Sequence, residues 1–104
     1  MENFNLSSSS EAVTSYEFEH NTSAIRSKMF SSYVNLSAVN IPDSVKIIED
    51  GAFYKCESLT KIDLNNVTAI GDYALANCHS LSSIKNFSNV LSCGIGVLRK
   101  CLSL

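Results

Sequence analysis

Four cysteines, Cys56, Cys78, Cys93 and Cys101, and two histidines, His20 and His79, have the widest chemical range of any side chains in this 104-residue sequence. A thiol nucleophile needs an imidazole within hydrogen-bond reach and a third group to orient it. His79 directly follows Cys78, so a compact segment that turns the cysteine inward turns the imidazole away, and His20 belongs to a different part of the chain. Zinc needs ligands that converge on a tetrahedron, and neither a C-x-x-C nor an H-x-x-x-H spacing occurs. Glu49 and Asp50 flank a turn and solubilise it more simply than they form an acid–base pair. No catalytic, cofactor or metal ligand is therefore assigned, and no enzyme activity is expected. Four cysteines allow three disulfide connectivities. The simpler expectation is reduced thiols acting as small apolar core residues, with burial raising their pKa and making them inert.

Composition limits what surrounds these side chains. Apolar residues make up 45% of the chain, charged residues 17%, and the net charge is −2, which favours one modest folded domain over a disordered or general polyanion-binding chain. Nucleic acid is not an expected partner. No apolar run reaches the roughly 18 residues that span a bilayer, so membrane insertion is not expected. The N-terminus, Met1 to Leu6 followed by Ser7 to Ser10, has no basic cluster leading into an apolar stretch and so does not read as a secretory signal. Residues 1–12 are expected to form a flexible serine-rich leader or an N-terminal cap. If Met1 is the native start, the chain belongs in the cytoplasm with its thiols reduced. Asn5, Asn21, Asn35, Asn66 and Asn86 each open an N-glycosylation triplet, but 18 serines and four threonines make such triplets common by chance.

The decisive feature is a fixed period. Ile25, Ile48, Ile70 and Cys93 are spaced by 23, 22 and 23 residues, and Met29, Ala52, Ala74 and Val97 keep the same steps. So do Phe30, Phe53, Leu75 and Leu98; Tyr33, Cys56, Cys78 and Cys101; and Leu36, Leu59, Leu81 and Leu104. Ahead of each block stand Tyr16, Val39, Ile62 and Ile84. In the last block one extra residue enters between Ile84 and Val90, which predicts a bulge or turn insertion there.

Within one unit, the run from Leu59 to Leu64 alternates polar and apolar residues over Lys61 to Leu64, the pattern of a half-buried strand. A second short extended piece ends at Ile70. Asp72 is placed to cap the compact segment that follows, in which Ala74, Leu75 and Cys78 are spaced as in a single helical or 3-10 turn. A unit of this length cannot enclose its own apolar side, so successive units must stack and share a core. The expected fold is an α/β solenoid of four turns, with a parallel β-sheet on one side and short helical or 3-10 turns on the other. It occupies residues 13–104 as one domain, in units of about 15–36, 37–59, 60–81 and 82–104.

The run from Ile41 through Pro42, Ser44, Val45, Ile48, Ala52, Phe53 and Cys56 to Leu59 resembles the BspA-type leucine-rich repeat, with its pattern I-P-x-S-V-x-x-I-x-x-x-A-F-x-x-C-x-x-L. Thr60 to Leu81 repeats it with Leu75 in the aromatic position, and the outer units are weaker copies. The glycine that usually follows the isoleucine is present at Gly71 and Gly94 but replaced by Arg26 and Glu49. The resemblance implies a non-catalytic module that binds another protein, at the cell surface or secreted, in adhesion to host proteins or other cells. The alternative is a short or truncated intracellular repeat protein that self-associates in a structural role.

Strand alternation places Ser15, Glu17, Ala38, Asn40, Lys61, Asp63, Ser83 and Lys85 outward on the sheet face, which makes them the expected partner-binding residues. That row lacks Trp, Tyr and Arg, the usual interface anchors. Residues 1–25 carry Glu2, Glu11, Glu17 and Glu19 and no base, whereas residues 73–104 carry Lys85, Arg99 and Lys100 and no acid. In a linear stack this becomes an axial polarity that favours head-to-tail self-association.

Overall fold

A computed structural model describes residues 10–104. Most of the serine-rich leader, together with Glu2 and the Asn5 triplet, lies outside the described residues. The alternating segments fold as the front strands β1 (Ser15–Glu17), β3 (Ala38–Asn40), β5 (Lys61–Asp63) and β7 (Ser83–Lys85). The isoleucine positions fold as β2 (Ala24–Ile25), β4 (Ile47–Ile48), β6 (Ala69–Ile70) and β8 (Ser92–Cys93).

Every pairing is parallel, and the registers are those of the columns. Ile25 pairs with Ile48, Ile48 with Ile70 and Ile70 with Cys93; on the front, Tyr16 pairs with Val39 and Ile62 with Ile84. The four strands β2, β4, β6 and β8 form one continuous sheet. Their three stacking steps make about three turns of solenoid instead of the four expected. A turn closes only when the chain has returned onto the strand before it.

The core runs up the inside of this stack. Ile25, Leu36, Ile48, Phe53, Leu59, Leu75 and Leu81 are among its fully buried members. The Phe30 and Phe53 rings lie 5.4 Å apart and nearly parallel, at 8°. Phe30 also takes edge contacts from Tyr16, Phe18 and Tyr33, so the first two coils share an aromatic cluster. Cys93 departs from its column and is exposed, because β8 is the outer strand of its sheet and no neighbouring strand covers its side chain.

The expected helical turns are not helices, and the fold among the described residues is a parallel β-solenoid. The only helical pieces described are single 3-10 turns at Ser10–Ala12 and Phe87–Asn89. In the compact segments, left-handed residues recur four apart: Lys28 and Ser32, Gly51 and Lys55, Tyr73 and Asn77, Gly96 and Lys100. They divide the N–H groups into two sets. Met29, Ser31 and Tyr33 donate three residues back along the chain, while Lys28, Phe30 and Ser32 donate to the carbonyls of Asp50, Ala52 and Tyr54 in the next coil. An α-helix would spend every N–H within itself. Here half of them stitch coil to coil.

The insertion in the last unit is a turn. Asn86, opposite Leu64 in the strand register, is left-handed at φ 65° and leads into the Phe87–Asn89 turn before Val90 rejoins its column.

The departure from the repeat glycine at Glu49 also has a physical reason. A Cβ on Gly71 would meet the Asp50 backbone nitrogen at 2.6 Å, because the Asp50 carboxylate sits there accepting the Asp72 N–H at 2.7 Å. Asp72 likewise reaches into the next coil and accepts the Ile95 N–H at 2.9 Å, instead of capping its own turn. Where Glu49 replaces the glycine, the coil before it offers Ser27 and no aspartate. Glu49 Oε1 accepts the Ser27 N–H at 2.9 Å, and Oε2 pairs with Arg26 at 3.5 Å. Glu49 and Asp50 thus cap amides of adjacent coils rather than simply solubilising a turn.

Candidate functional site

All eight side chains expected on the sheet face are exposed. Ser15 lies beside Ala38, Glu17 beside Asn40, Lys61 beside Ser83 and Asp63 beside Lys85. They do not form one row. The front face consists of two separate pairs, β1 with β3 and β5 with β7, and no ladder joins β3 to β5.

A depression of about 200 Å³ crosses this break, lined by Ser37, Ala38, Val39, Lys61, Ile62, Asp63, Ser83 and Lys85. Buried Ile62 and half-buried Val39 give it an apolar floor, while Lys61, Asp63 and Lys85 supply a charged rim. A second depression, of about 420 Å³, adjoins it over β1 and β3 and is lined by Ser15, Tyr16, Glu17, Ala38, Val39 and Asn40.

Tyr16 is the residue that sequence reasoning missed. Although it shares a column with Val39, Ile62 and Ile84, it is 40% exposed, because β1 is the outermost front strand among the described residues. Its ring packs edge-on against Phe18 at 4.8 Å, which fixes an amphipathic aromatic beside Glu17 and Asn40. The signal was its position in the first recognisable unit, where an inward side chain is covered from one side only.

Asp63 is the most structured charge on the face. Its Oδ1 accepts the Asn86 side-chain amide at 2.7 Å and the Asn65 N–H at 2.9 Å. These bonds, the Asn86 bond foremost, hold its carboxyl below the usual carboxylate range, and Lys85 adds attraction. A carbon-detected titration should place the Asp63 midpoint below 3.8, and Asn86→Ala should move it upward. Because the folded pKa is the lower one, the rim is fully organised above the unfolded value and loosens as pH falls through the folded one. A midpoint unmoved by Asn86→Ala would contradict this account.

The thiols form a ladder along the coil interior. Cys56 Sγ–H donates to the Phe30 carbonyl at 3.2 Å, Cys78 to Phe53 at 3.2 Å and Cys101 to Leu75 at 3.1 Å. All four cysteines are free thiols. Burial pushes the Cys56 thiol far up and the Cys78 thiol up to about 12, and it raises Cys101 to a lesser degree. His79 stands on the exposed side, with Nδ1 4.0 Å from Glu57 Oε2. In native protein, a thiol reagent at pH 8 should therefore modify exposed Cys93 rapidly and Cys56 and Cys78 only after denaturation. Rapid modification of Cys78 in the folded state would contradict the ladder. The raised pKa values also give a sign. The buried thiols favour the fold below the unfolded thiol value near 9 and cost stability as pH climbs from there toward about 12.

Among the described residues no group of three or more His, Cys, Asp or Glu is placed to hold a metal ion, and no helix is long and apolar enough to cross a membrane. What the geometry provides is a periodic scaffold with a solvent-facing strand surface, broken once at its centre.

This architecture is that of a leucine-rich-repeat solenoid. The family model described as the BspA type leucine rich repeat region (6 copies) matches residues 2–104, and the chain belongs to that family. Among solved structures it is similar to the crystal structure of a leucine-rich repeat protein from T. pallidum, at 26% identity with a TM-score of 0.85. The match covers 89% of this chain and 44% of that one, so the chain spans less than half the length of its structural relative. No curated protein matches the sequence.

Proposed function

We propose that the chain is a non-catalytic protein-binding module that engages its partner through the front strand face, as an adhesion or surface-recognition repeat does. The observation that carries this reading is the pair of adjoining depressions over β1, β3 and β5. An apolar floor, a fixed exposed Tyr16 and a rim of Lys61, Asp63 and Lys85 occur together there. That combination of an aromatic anchor, an apolar centre and a charged edge is how protein interfaces are built. Solenoids present such faces because stacked strands supply an extended surface that no single unit could.

The test is to pan a displayed random-peptide library on immobilised protein. Peptides enriched on wild type should lose binding to Ala38→Arg, placed where the two depressions meet, and keep binding to Thr68→Lys, just ahead of β6 in the other sheet. Enriched peptides that bind Ala38→Arg as well as wild type would reject the front face as the binding surface.

A second reading, head-to-tail self-association, is favoured by the last coil. Leu91, Ile95, Leu102 and Leu104 are between 54% and 85% exposed there. In the same coil the N–H groups of Gly96, Leu98 and Lys100, which stand where earlier coils stitch to the next, have no acceptor among the described residues. A parallel coil of the same repeat would supply those carbonyls, and the acidic first 25 residues complement Lys85, Arg99 and Lys100. Light scattering should then show mass rising with concentration at low salt and falling toward monomer in Ile95→Lys. A constant monomer mass at every concentration and salt level rejects this reading.

A further inference from the structure

Outside the strand face, one depression gathers hydrogen-bond donors and no carboxylate. It has a volume of about 210 Å³, lies along the turn edge of the coils and is lined by Tyr54, Tyr73, Asn77, Arg99 and Lys100. The turn geometry creates it. Tyr73 is held left-handed at φ 55° and lays its ring over Gly96, where an added Cβ would meet ring carbons at 2.7 Å or less. Asn77 and Lys100, left-handed at φ 60° and 57°, occupy the same position of successive coils. Asn77 also donates its N–H to the Arg99 carbonyl at 2.7 Å, which fixes the spacing of those two residues. Lys55, one coil earlier at that position, places Nζ 5.7 Å from the centre of the Tyr54 ring.

Every lining side chain can donate: two phenols, an amide, a guanidinium and an ammonium. None of the five makes a side-chain hydrogen bond or ion pair with another described residue. The nearest acids along the chain are otherwise engaged. Asp72 accepts the Ile95 N–H, and Glu57 lies against His79.

We propose that this depression is a binding site for a small tetrahedral oxyanion, the head of a phosphate or sulfate monoester. Such a group offers three terminal acceptor oxygens to donors that approach from several directions, and Arg99 can grip two of them at once. The volume is below the roughly 300–1,000 Å³ typical of sites for whole drug-sized ligands, which fits recognition of a terminal group and not of the molecule that carries it. The net charge of −2 is no obstacle, because the three cations Lys55, Arg99 and Lys100 lie on one edge of the coil.

The experiment is a nitrogen-15 NMR titration of the full chain with inorganic sulfate, inorganic phosphate and acetate, at constant ionic strength and pH 8. Sulfate or phosphate should produce saturating shifts at the Asn77 side-chain amide, the Arg99 Nε–H and the Lys100 amide. Acetate, planar and singly charged, should bind more weakly. Arg99→Gln should weaken binding roughly tenfold to a hundredfold, the range for loss of a charge-assisted hydrogen bond. Lys46→Gln, which removes an exposed charge just before β4, should leave binding unchanged. Tighter binding of phosphate assigns a phosphate monoester, and equal or tighter binding of sulfate assigns a sulfate ester. Linear, non-saturating shifts, acetate binding equal to that of sulfate and phosphate, or an unchanged affinity in Arg99→Gln would each overturn the site. The dispersed amide spectrum of each variant shows that it is folded.

Discussion

Phe53→Ala is expected to lower the unfolding free energy by about 3–5 kcal/mol, the range for truncating a buried aromatic side chain. Phe53 is completely buried and stacks on Phe30, which in turn holds Tyr16, Phe18 and Tyr33. The cavity left behind would sit between the first and second coils, where the surrounding rings are too rigid to collapse into it. Against the 5–15 kcal/mol typical of a domain, about a fifth or more of the stability would go. Urea unfolding followed by circular dichroism measures this. Phe53→Leu is the informative partner, because Leu75 and Leu98 already fill the same position in later coils. It should cost under about 1.5 kcal/mol as a conservative apolar exchange. A loss under about 1 kcal/mol for Phe53→Ala would contradict the stacked-column account.

Gly71→Ala is the second large effect, expected at about 1–3 kcal/mol or somewhat more, since a methyl group is forced into space already filled by a backbone. Its Cβ would stand 2.6 Å from the Asp50 nitrogen and 2.9 Å from the Glu49 carbonyl carbon, so two coils must separate locally to admit it. Adding Asp50→Ala should recover only part of the loss, because the carboxylate leaves but the backbone nitrogen does not. Gly51→Asn serves as the control. Gly51 needs a left-handed φ of 65°, which asparagine adopts readily, and the nearest atom to its added Cβ is the flexible Lys28 Cγ at 3.4 Å. Thermal unfolding should therefore rank Gly71→Ala well below Gly51→Asn, and the reverse order would contradict the close approach of the coils.

The stacking was legible in the sequence because the same physical demand is made in every coil. An inward position at Ile25 is an inward position at Ile48 and Ile70, so the columns and the strand registers follow from spacing alone. The turn segments were misread as helical for a reason equally physical. Ala74, Leu75 and Cys78 bury the same face in a helical turn and in a tight arc that stitches to its neighbours. The residues that decide between the two are the left-handed ones, and Lys28, Lys55 and Tyr73 carry no sequence sign of that conformation. Gly51, Gly96 and Asn77 did carry one.

The exposure of Cys93 and Tyr16 was hidden because periodicity assigns the same side to every coil, while burial depends on whether a neighbour stands on both sides. The eight face residues followed from alternation alone. The break between β3 and β5 did not, since Val39 and Ile62 match their columns as well as any other pair. The donor-lined depression at Tyr54, Tyr73 and Arg99 was not legible either, because it depends on how left-handed turns bring three coils together at one edge.

The interlock of Asp50 with Gly71, and of Ser27 with Glu49, sets a grammar for how these repeats can multiply. Residues 60–81 contain both halves of one compatible joint, a glycine to receive and Asp72 to insert, so a tandem duplication of that unit would fit itself indefinitely. Residues 37–59 pair Glu49 with Asp50, and two such units in succession would set a side chain against an occupied socket. Gene duplication can therefore lengthen this array from its third unit, while the second serves as an adaptor between two dialects of the same repeat.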